Sequence, residues 1–140
     1  LHFPDADDEL YPNFVALAQR WMESGTSDVV LFPYEERDGD TGALIAHRRF
    51  DPEDAARDPR SYAIRVQINP FCGLYRRETF LRAGGYDESP DVLYNEDVAM
   101  HVQIAFEGLS FAADTEVSII NHRYLSAMSA ANRLKCLQAQ

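Results

Sequence analysis

Four carboxylates stand within five positions near the start of the chain, in the run Asp5-Ala6-Asp7-Asp8-Glu9. They follow the apolar stretch Leu1-His2-Phe3-Pro4, which reads as the end of a strand running into a loop. Carboxylate oxygens are hard ligands, matched to Mg2+ or Mn2+. A divalent ion with open positions bridges phosphates and neutralises a diphosphate leaving group, and open α/β sheets gather their ligands at the carboxyl ends of strands. The same run also reads as an acidic turn capping the helix that begins near Pro12, although four acids exceed what a cap needs. A second acidic pair opens a later helix. Asn95 is a good N-cap, and Glu96 and Asp97 fall in the first turn, where the macrodipole favours ionised carboxylates. A carboxylate held ionised at a cleft edge can accept the proton of an attacking hydroxyl; plain capping is the other reading of the same residues.

The frame around these acids is an ordinary globular one. The chain has 140 residues, of which 46% are hydrophobic, enough for one domain with a modest core. The net charge is -10, from 23 acidic against 13 basic residues, a field that repels nucleic acid. No run of 18 apolar residues occurs, so no transmembrane segment is expected, and no signal peptide opens the chain. Cys72 and Cys136 belong to no CxxC pair or metal-ligand spacing, which predicts two free thiols in a reducing compartment and leaves one disulfide open. A domain seldom starts in mid-strand, so further sequence before Leu1 is expected.

Periodicity supplies the elements that must position the acids. Phe14, Leu17, Ala18 and Trp21 recur at helical spacing over Pro12 to Glu23, with Pro12 in the first turn and Gly25 as the stop. Asp28 to Pro33 reads as a buried strand, Glu35 to Thr41 as a charged turn or exposed loop, and Ala43 to Phe50 as the second strand of a hairpin. Asp51 to Arg60 is expected to be a surface loop with one helical turn. Tyr62 to Ile68 alternates weakly, and Phe71 to Tyr75 is a short apolar run. Arg77 to Ala83 is a short helix closed by Gly84-Gly85, with a loop from Tyr86 to Tyr94. Glu96 to Glu107 is the best-defined helix, with Val98, Val102 and Phe106 on one face and Gly108 as its stop. Leu109 to Ala113 and Glu116 to Ile120 are strand candidates, and the tail from Ser126 onward looks helical. Trp21 is expected in the core, Arg76 and Arg77 on the surface. Strands alternating with helices imply an α/β layer.

Taken in order, FPDADDELYPNF, CGLYRRETFLRAGGYDE, YNEDVAMHVQIAFEG and INHRYLSAMS resemble the family 2 glycosyltransferases of the GT-A fold, from residue 3 to about residue 129. Phe3 to Pro12 is similar to the family's DxD loop and the helix after it, Tyr75 to Glu88 to an Arg-rich helix running into Gly-Gly-aromatic-Asp-Glu, and Asn95 to Gly108 to the Glu-Asp helix that carries the catalytic base. The resemblance implies that Asp5 and Asp7 contact the nucleotide's ribose and phosphates and hold a divalent metal, Asp7 most directly, with Asp8 assisting. It implies that Asp97 is the general base with Glu96 beside it. It places His122 where some relatives supply a further metal or diphosphate contact, and Arg123 where a guanidinium can meet the diphosphate; a lone His after a strand is equally a structural residue. The Gly84-Gly85 turn would bring Tyr86-Asp87 to the cleft, with a simple helix C-cap as the other reading.

The implied fold class is α/β: a partial GT-A mixed sheet flanked by helices, with residues 1–125 as the metal-binding and acceptor-side part and 126–140 as a C-terminal helical tail. The implied activity is inverting, metal-assisted transfer of a sugar from a nucleotide-diphosphate sugar to an acceptor hydroxyl, in polysaccharide biosynthesis at the cell envelope. The implied cofactor is Mn2+ or Mg2+. The implied partners are the nucleotide-sugar donor, a carbohydrate or lipid-linked acceptor and, as an open option, a second copy of the chain. The expected location is cytoplasmic, with peripheral attachment at the inner face of the membrane left open. The sequence departs from the family in lacking the strand-rich nucleotide-binding half before the DxD loop, and Glu35 to Arg60 carries no family signature; such inserts tend to set acceptor choice. Two other readings stand beside this one. One is a non-catalytic binding or assembly module that keeps part of the fold. The other is a metal-dependent phosphohydrolase with Asp5 or Asp7 as nucleophile, disfavoured because the only lysine, Lys135, lies in the tail.

Overall fold

The computed structural model describes residues 1–89, 92 and 95–124. In chain order its elements are β1 (Glu9–Leu10), α1 (Phe14–Ser24), β2 (Val29–Leu31), β3 (Tyr34–Asp38), β4 (Leu44–Arg48), α2 (Pro52–Arg57), α3 (Pro59–Arg65), a 3-10 turn (Pro70–Cys72), β5 (Gly73–Tyr75), α4 (Arg77–Arg82), α5 (Glu96–Phe106), β6 (Phe111–Ala113) and β7 (Ile119–Arg123). They form a mixed α/β structure of two mixed sheets flanked by helices. The smaller sheet has the order β5-β2-β6, with β2 antiparallel to β5 and parallel to β6. The larger has the order β1-β7-β3-β4, with β7 parallel to β3 and the other two pairings antiparallel. Val29, Val30, Leu31 and Phe32 are fully buried, so the expected buried strand runs through the centre of the core.

Several elements form where the sequence led us to expect them, and for the expected reasons. Helix α1 turns Phe14 and Leu17 inward and ends at Gly25, whose φ of 68° is the left-handed C-cap geometry that favours glycine. Its N-cap is Asn13, so Pro12 precedes the helix instead of occupying its first turn. Trp21 is only partly buried and packs against the core. Arg76 does not snorkel: its guanidinium donates to the backbone carbonyls of Ser27, at 2.9 Å, and Met22, at 3.4 Å, fastening α4 to the end of α1.

Three expectations fail for identifiable physical reasons. The charged segment Glu35 to Thr41 is mostly strand. Glu36 is 6% exposed because Arg48, its near-opposite neighbour on β4, donates to it at 2.8 Å, and Arg37 donates to Glu35 at 2.6 Å. Paired charges can sit in a ladder where unpaired ones cannot. The segment Asp51 to Arg60 is two helices and not a loop, and the second of them, α3, takes in Tyr62 and runs on to Arg65. Asp51 accepts from Asp54 N at 2.9 Å with Pro52 at the first position, and Asp58 accepts from Ser61 N at 3.1 Å with Pro59 likewise. Each Asp-Pro pair is a helix start. On α5 the inward face is Met100, His101, Ile104 and Ala105; of the expected face only Val102 packs, partly buried, against the core, whereas Val98 is 37% and Phe106 54% exposed. A buried histidine at the middle of that face hides it from a reading of apolar residues alone, and Phe106 is instead covered by the guanidinium of Arg60, 5.2 Å from its ring centroid.

The expected helical tail from Ser126 onward, Cys136 and Lys135 within it, and part of the Tyr86 to Tyr94 loop lie outside the described residues. Among the described residues no helix is long and apolar enough to cross a membrane.

Candidate active-site crevice

The acidic loop leaves the edge of the smaller sheet. Leu1 exchanges backbone hydrogen bonds with Tyr75 of β5, Tyr75 N donating to Leu1 O at 2.8 Å and the Leu1 amine donating to Tyr75 O at 2.6 Å, and His2 bridges to Leu74. Phe3 then packs on the rings of Tyr75, Phe80 and Tyr86, with centroids 5.1–5.9 Å apart. This apolar anchor fixes where Asp5 emerges. The loop turns on itself, Asp8 N donating to Asp5 O at 3.2 Å, and enters β1.

The far side of the loop is tied to β7. Asn121 Nδ2 donates to Asp8 Oδ1 at 2.8 Å, and His122 Nε2 meets Glu9 Oε1 at 2.8 Å. Asp8 also accepts weakly from Asp5 N, at 3.4 Å. Asp8 and His122 are therefore engaged in holding the loop. Arg123, at the end of β7, lies 3.7 Å from Glu36 with its side chain 59% exposed, and is engaged with the β3–β4 hairpin. Asp5 and Asp7 are exposed and keep free carboxylate oxygens.

The first turn of α5 lies within electrostatic reach of Asp5. Burial first, then the negative charges of Glu96 and Asp5, push the Asp97 carboxyl up to about 6. Partial withdrawal from water and then the charge of Asp7 likewise raise Asp5, whose side chain still reaches solvent. Burial raises Asp8 and outweighs its hydrogen bond from Asn121. The Tyr86 phenol is pushed up to about 12 by burial and by the charges of Asp97, Asp5 and Glu96. Asp97 and Tyr86 thus both feel the charges of Asp5 and Glu96, which lie within electrostatic reach of them. Of the loop acids, Asp5 is the one whose charge reaches both Asp97 and Tyr86.

The capping account of the helix acids fits less well. Asn95 makes no side-chain cap bond, and its Nδ2 is buried without a partner among the described residues. Glu96 Oε2 is also buried and without a partner among the described residues. The helix dipole was expected to favour an ionised Asp97, yet burial and the two like charges dominate and hold the proton on more tightly. A carboxylate left without donors in a partly buried site is poorly suited to capping and well poised to take a proton near neutral pH.

Among the described residues no group of three or more His, Cys, Asp or Glu side chains forms a ready metal cage. The donors present fit a different kind of site. Mg2+ and its congeners are commonly held by one or two carboxylates, with substrate phosphates and water completing the shell. Asp5 and Asp7 are such a pair, and the repulsion that Asp5 feels from Asp7 is what a cation relieves. His122 and Asp8 fit the ligand role less well, being spent on Glu9 and Asn121.

Sequence reasoning missed Asn121, which holds Asp8, and Tyr75 and His101, which lie beneath Asp97. An asparagine after an apolar strand carries no signal of its own. The thiol of Cys72, buried and pushed up to about 12, chiefly by burial, is inert. A separate cavity of about 340 Å3 is lined by Tyr11, Pro12, Asn13, Glu35 and Val117, none of them an acid of the crevice. No protein-family model and no curated protein matches this chain.

Proposed function

We propose that the chain is the metal-binding and acceptor-side part of an inverting nucleotide-sugar glycosyltransferase, in a partial GT-A arrangement. One observation carries the reading: Asp5 of the exposed acidic loop acts on a partly buried carboxyl of α5, Asp97, which burial and the charges of Glu96 and Asp5 push up to about 6. A base is most effective when its pKa lies near the working pH.

In this reading Asp97 accepts the proton of an acceptor hydroxyl. The oxygen forms a bond to the anomeric carbon from the face opposite the leaving group, the bond from that carbon to the diphosphate oxygen breaks, and its electron pair departs with the diphosphate. The anomeric configuration inverts. Burial, and then the negative charges of Glu96 and Asp5, keep Asp97 basic. Asp5 and Asp7 are the residues that would hold Mg2+ or Mn2+, which supplies neutralisation of the departing diphosphate's charge.

Calorimetry with Mn2+ and inorganic pyrophosphate tests the first half of this reading without requiring the donor. Pyrophosphate is expected to bind only when Mn2+ is present, and Asp7→Asn is expected to weaken that binding by about tenfold or more. Absence of any Mn2+-dependent pyrophosphate binding overturns the transferase reading and leaves a non-catalytic module that kept part of the fold.

A further inference from the structure

Beneath the crevice lies a pair of buried polar side chains that the reaction above does not use. Tyr75, fully buried on β5, places its hydroxyl 2.8 Å from His101 Nε2. His101, 1% exposed, places Nδ1 2.7 Å from the backbone oxygen of Asp97, one turn back on α5. A carbonyl oxygen only accepts, so the imidazole proton sits on Nδ1, and Nε2 accepts from the tyrosine hydroxyl. Burial pushes His101 down to about 4, so this neutral tautomer persists at physiological pH.

Tyr75 is tied on its other side as well. Its backbone N–H and carbonyl pair with Leu1, four residues before Asp5, and its ring packs on Phe3. Gly73 makes room for this: a Cβ at that position would collide with the Tyr75 phenol. One residue therefore touches both the segment that leads into the acidic loop, through its backbone and ring, and α5, through its hydroxyl and His101.

We infer that Tyr75, acting through His101, is a positioning residue: a buried cross-tie that fixes where Asp97 stands relative to Asp5. Its catalytic consequence rests on the transferase reading; the tie itself does not. The cross-tie explains why a polar Tyr–His pair occupies a core position that leucine-sized residues could fill. Neither group reaches substrate. Their effect is on the placement of the Asp97 carbonyl, and hence of its carboxylate.

Nitrogen-15 spectra of the whole chain test the tie directly. Wild-type His101 is expected to be neutral with its proton on Nδ1 at pH 7. In Tyr75→Phe, which keeps the ring and loses the hydroxyl, the His101 signals are expected to move, and the Ala99 amide in the first turns of α5 to exchange about tenfold faster. The Val30 amide in β2 should stay unchanged. His101→Gln, which keeps an acceptor for Tyr75, should hold Ala99 better than His101→Leu. In a transfer assay Tyr75→Phe should lower kcat by about tenfold or more, with donor KM unchanged, as expected of misplacement by a fraction of an ångström. A proton on Nε2, or unchanged Ala99 exchange in Tyr75→Phe, overturns the inference, as does an unchanged kcat in an active protein. If His101→Leu fails to fold, Tyr75→Phe and His101→Gln still decide. If the proton and exchange results come out as expected while the wild type transfers no sugar, the tie stands and the transferase reading falls.

Discussion

Asp97 and Asp114 are both largely withdrawn from water, yet their chemistry points in opposite directions. Asp114, just after β6 and 4% exposed, accepts from Trp21 Nε1 at 2.6 Å, Arg20 at 3.2 Å, Thr115 N at 2.7 Å and Glu116 N at 2.9 Å. Burial acts to raise its carboxyl, but the donors from Glu116, Trp21 and Thr115 win and hold it below the usual range. Asp97 has burial without donors. Among the described residues no hydrogen-bond donor reaches its carboxylate, and its charged neighbours are Glu96 and Asp5. Burial alone therefore does not decide a carboxylate's role; the donor count does. Asp114 closes α1 onto β6 as a fastener. An Asp97 carboxyl raised by burial and like charges costs the fold stability at neutral pH.

Exchanging each acid for its amide separates the two roles. Asp97→Asn is expected to lower sugar transfer by about a hundredfold to ten-thousandfold, the usual contribution of a positioned base, while Mn2+-dependent pyrophosphate binding survives. Equal turnover by that variant removes Asp97 from the mechanism. Asp114→Asn should leave Asp97 untouched but set an amide NH2 against one of the existing donors. The expected loss is about 2–3 kcal/mol of stability, read as a shifted midpoint in urea with unchanged slope. Stability within a few tenths of wild type would mean that the four donors of Asp114 matter less than their geometry indicates.

The contrast between these acids was only half legible in the sequence. The loop acids and the pair opening α5 stand out by composition and order. The buried strand β2, helix α1 and helix α5 are readable from periodicity, because their apolar residues repeat at the spacing the backbone imposes. What failed to show was any feature settled by a partner distant in sequence. Glu36 is buried only because Arg48 returns to it across the hairpin. Asp114 is a fastener only because Trp21 and Arg20 reach it from 93 and 94 positions away. The inward face of α5 turns on His101, which is tolerable inside only with Tyr75 opposite. Local pattern cannot report such pairings. The two Asp-Pro helix starts were missed for another reason: their signal is local and was present, but polarity made the segment look like a loop.

The finest test of the comparison is the pH dependence of stability, where the two acids should give slopes of opposite sign. The Asp114 carboxyl is held below its ordinary value of 3.8, so its stabilisation is present above that value and is lost as pH falls through the folded value. The Asp97 carboxyl is raised from 3.8 to about 6. Between those values the native state binds more protons than the unfolded chain, so wild-type stability falls as pH rises through this window. Asp97→Asn removes that dependence. At pH 7 the variant should melt roughly 5–10 °C above wild type, and the gain should shrink as pH falls through 6 and vanish near 4. A gain that stayed constant down to pH 4 would trace it to packing instead of charge. No gain at pH 7 would mean that Asp97 is as well satisfied as Asp114, and the distinction between fastener and base would be lost.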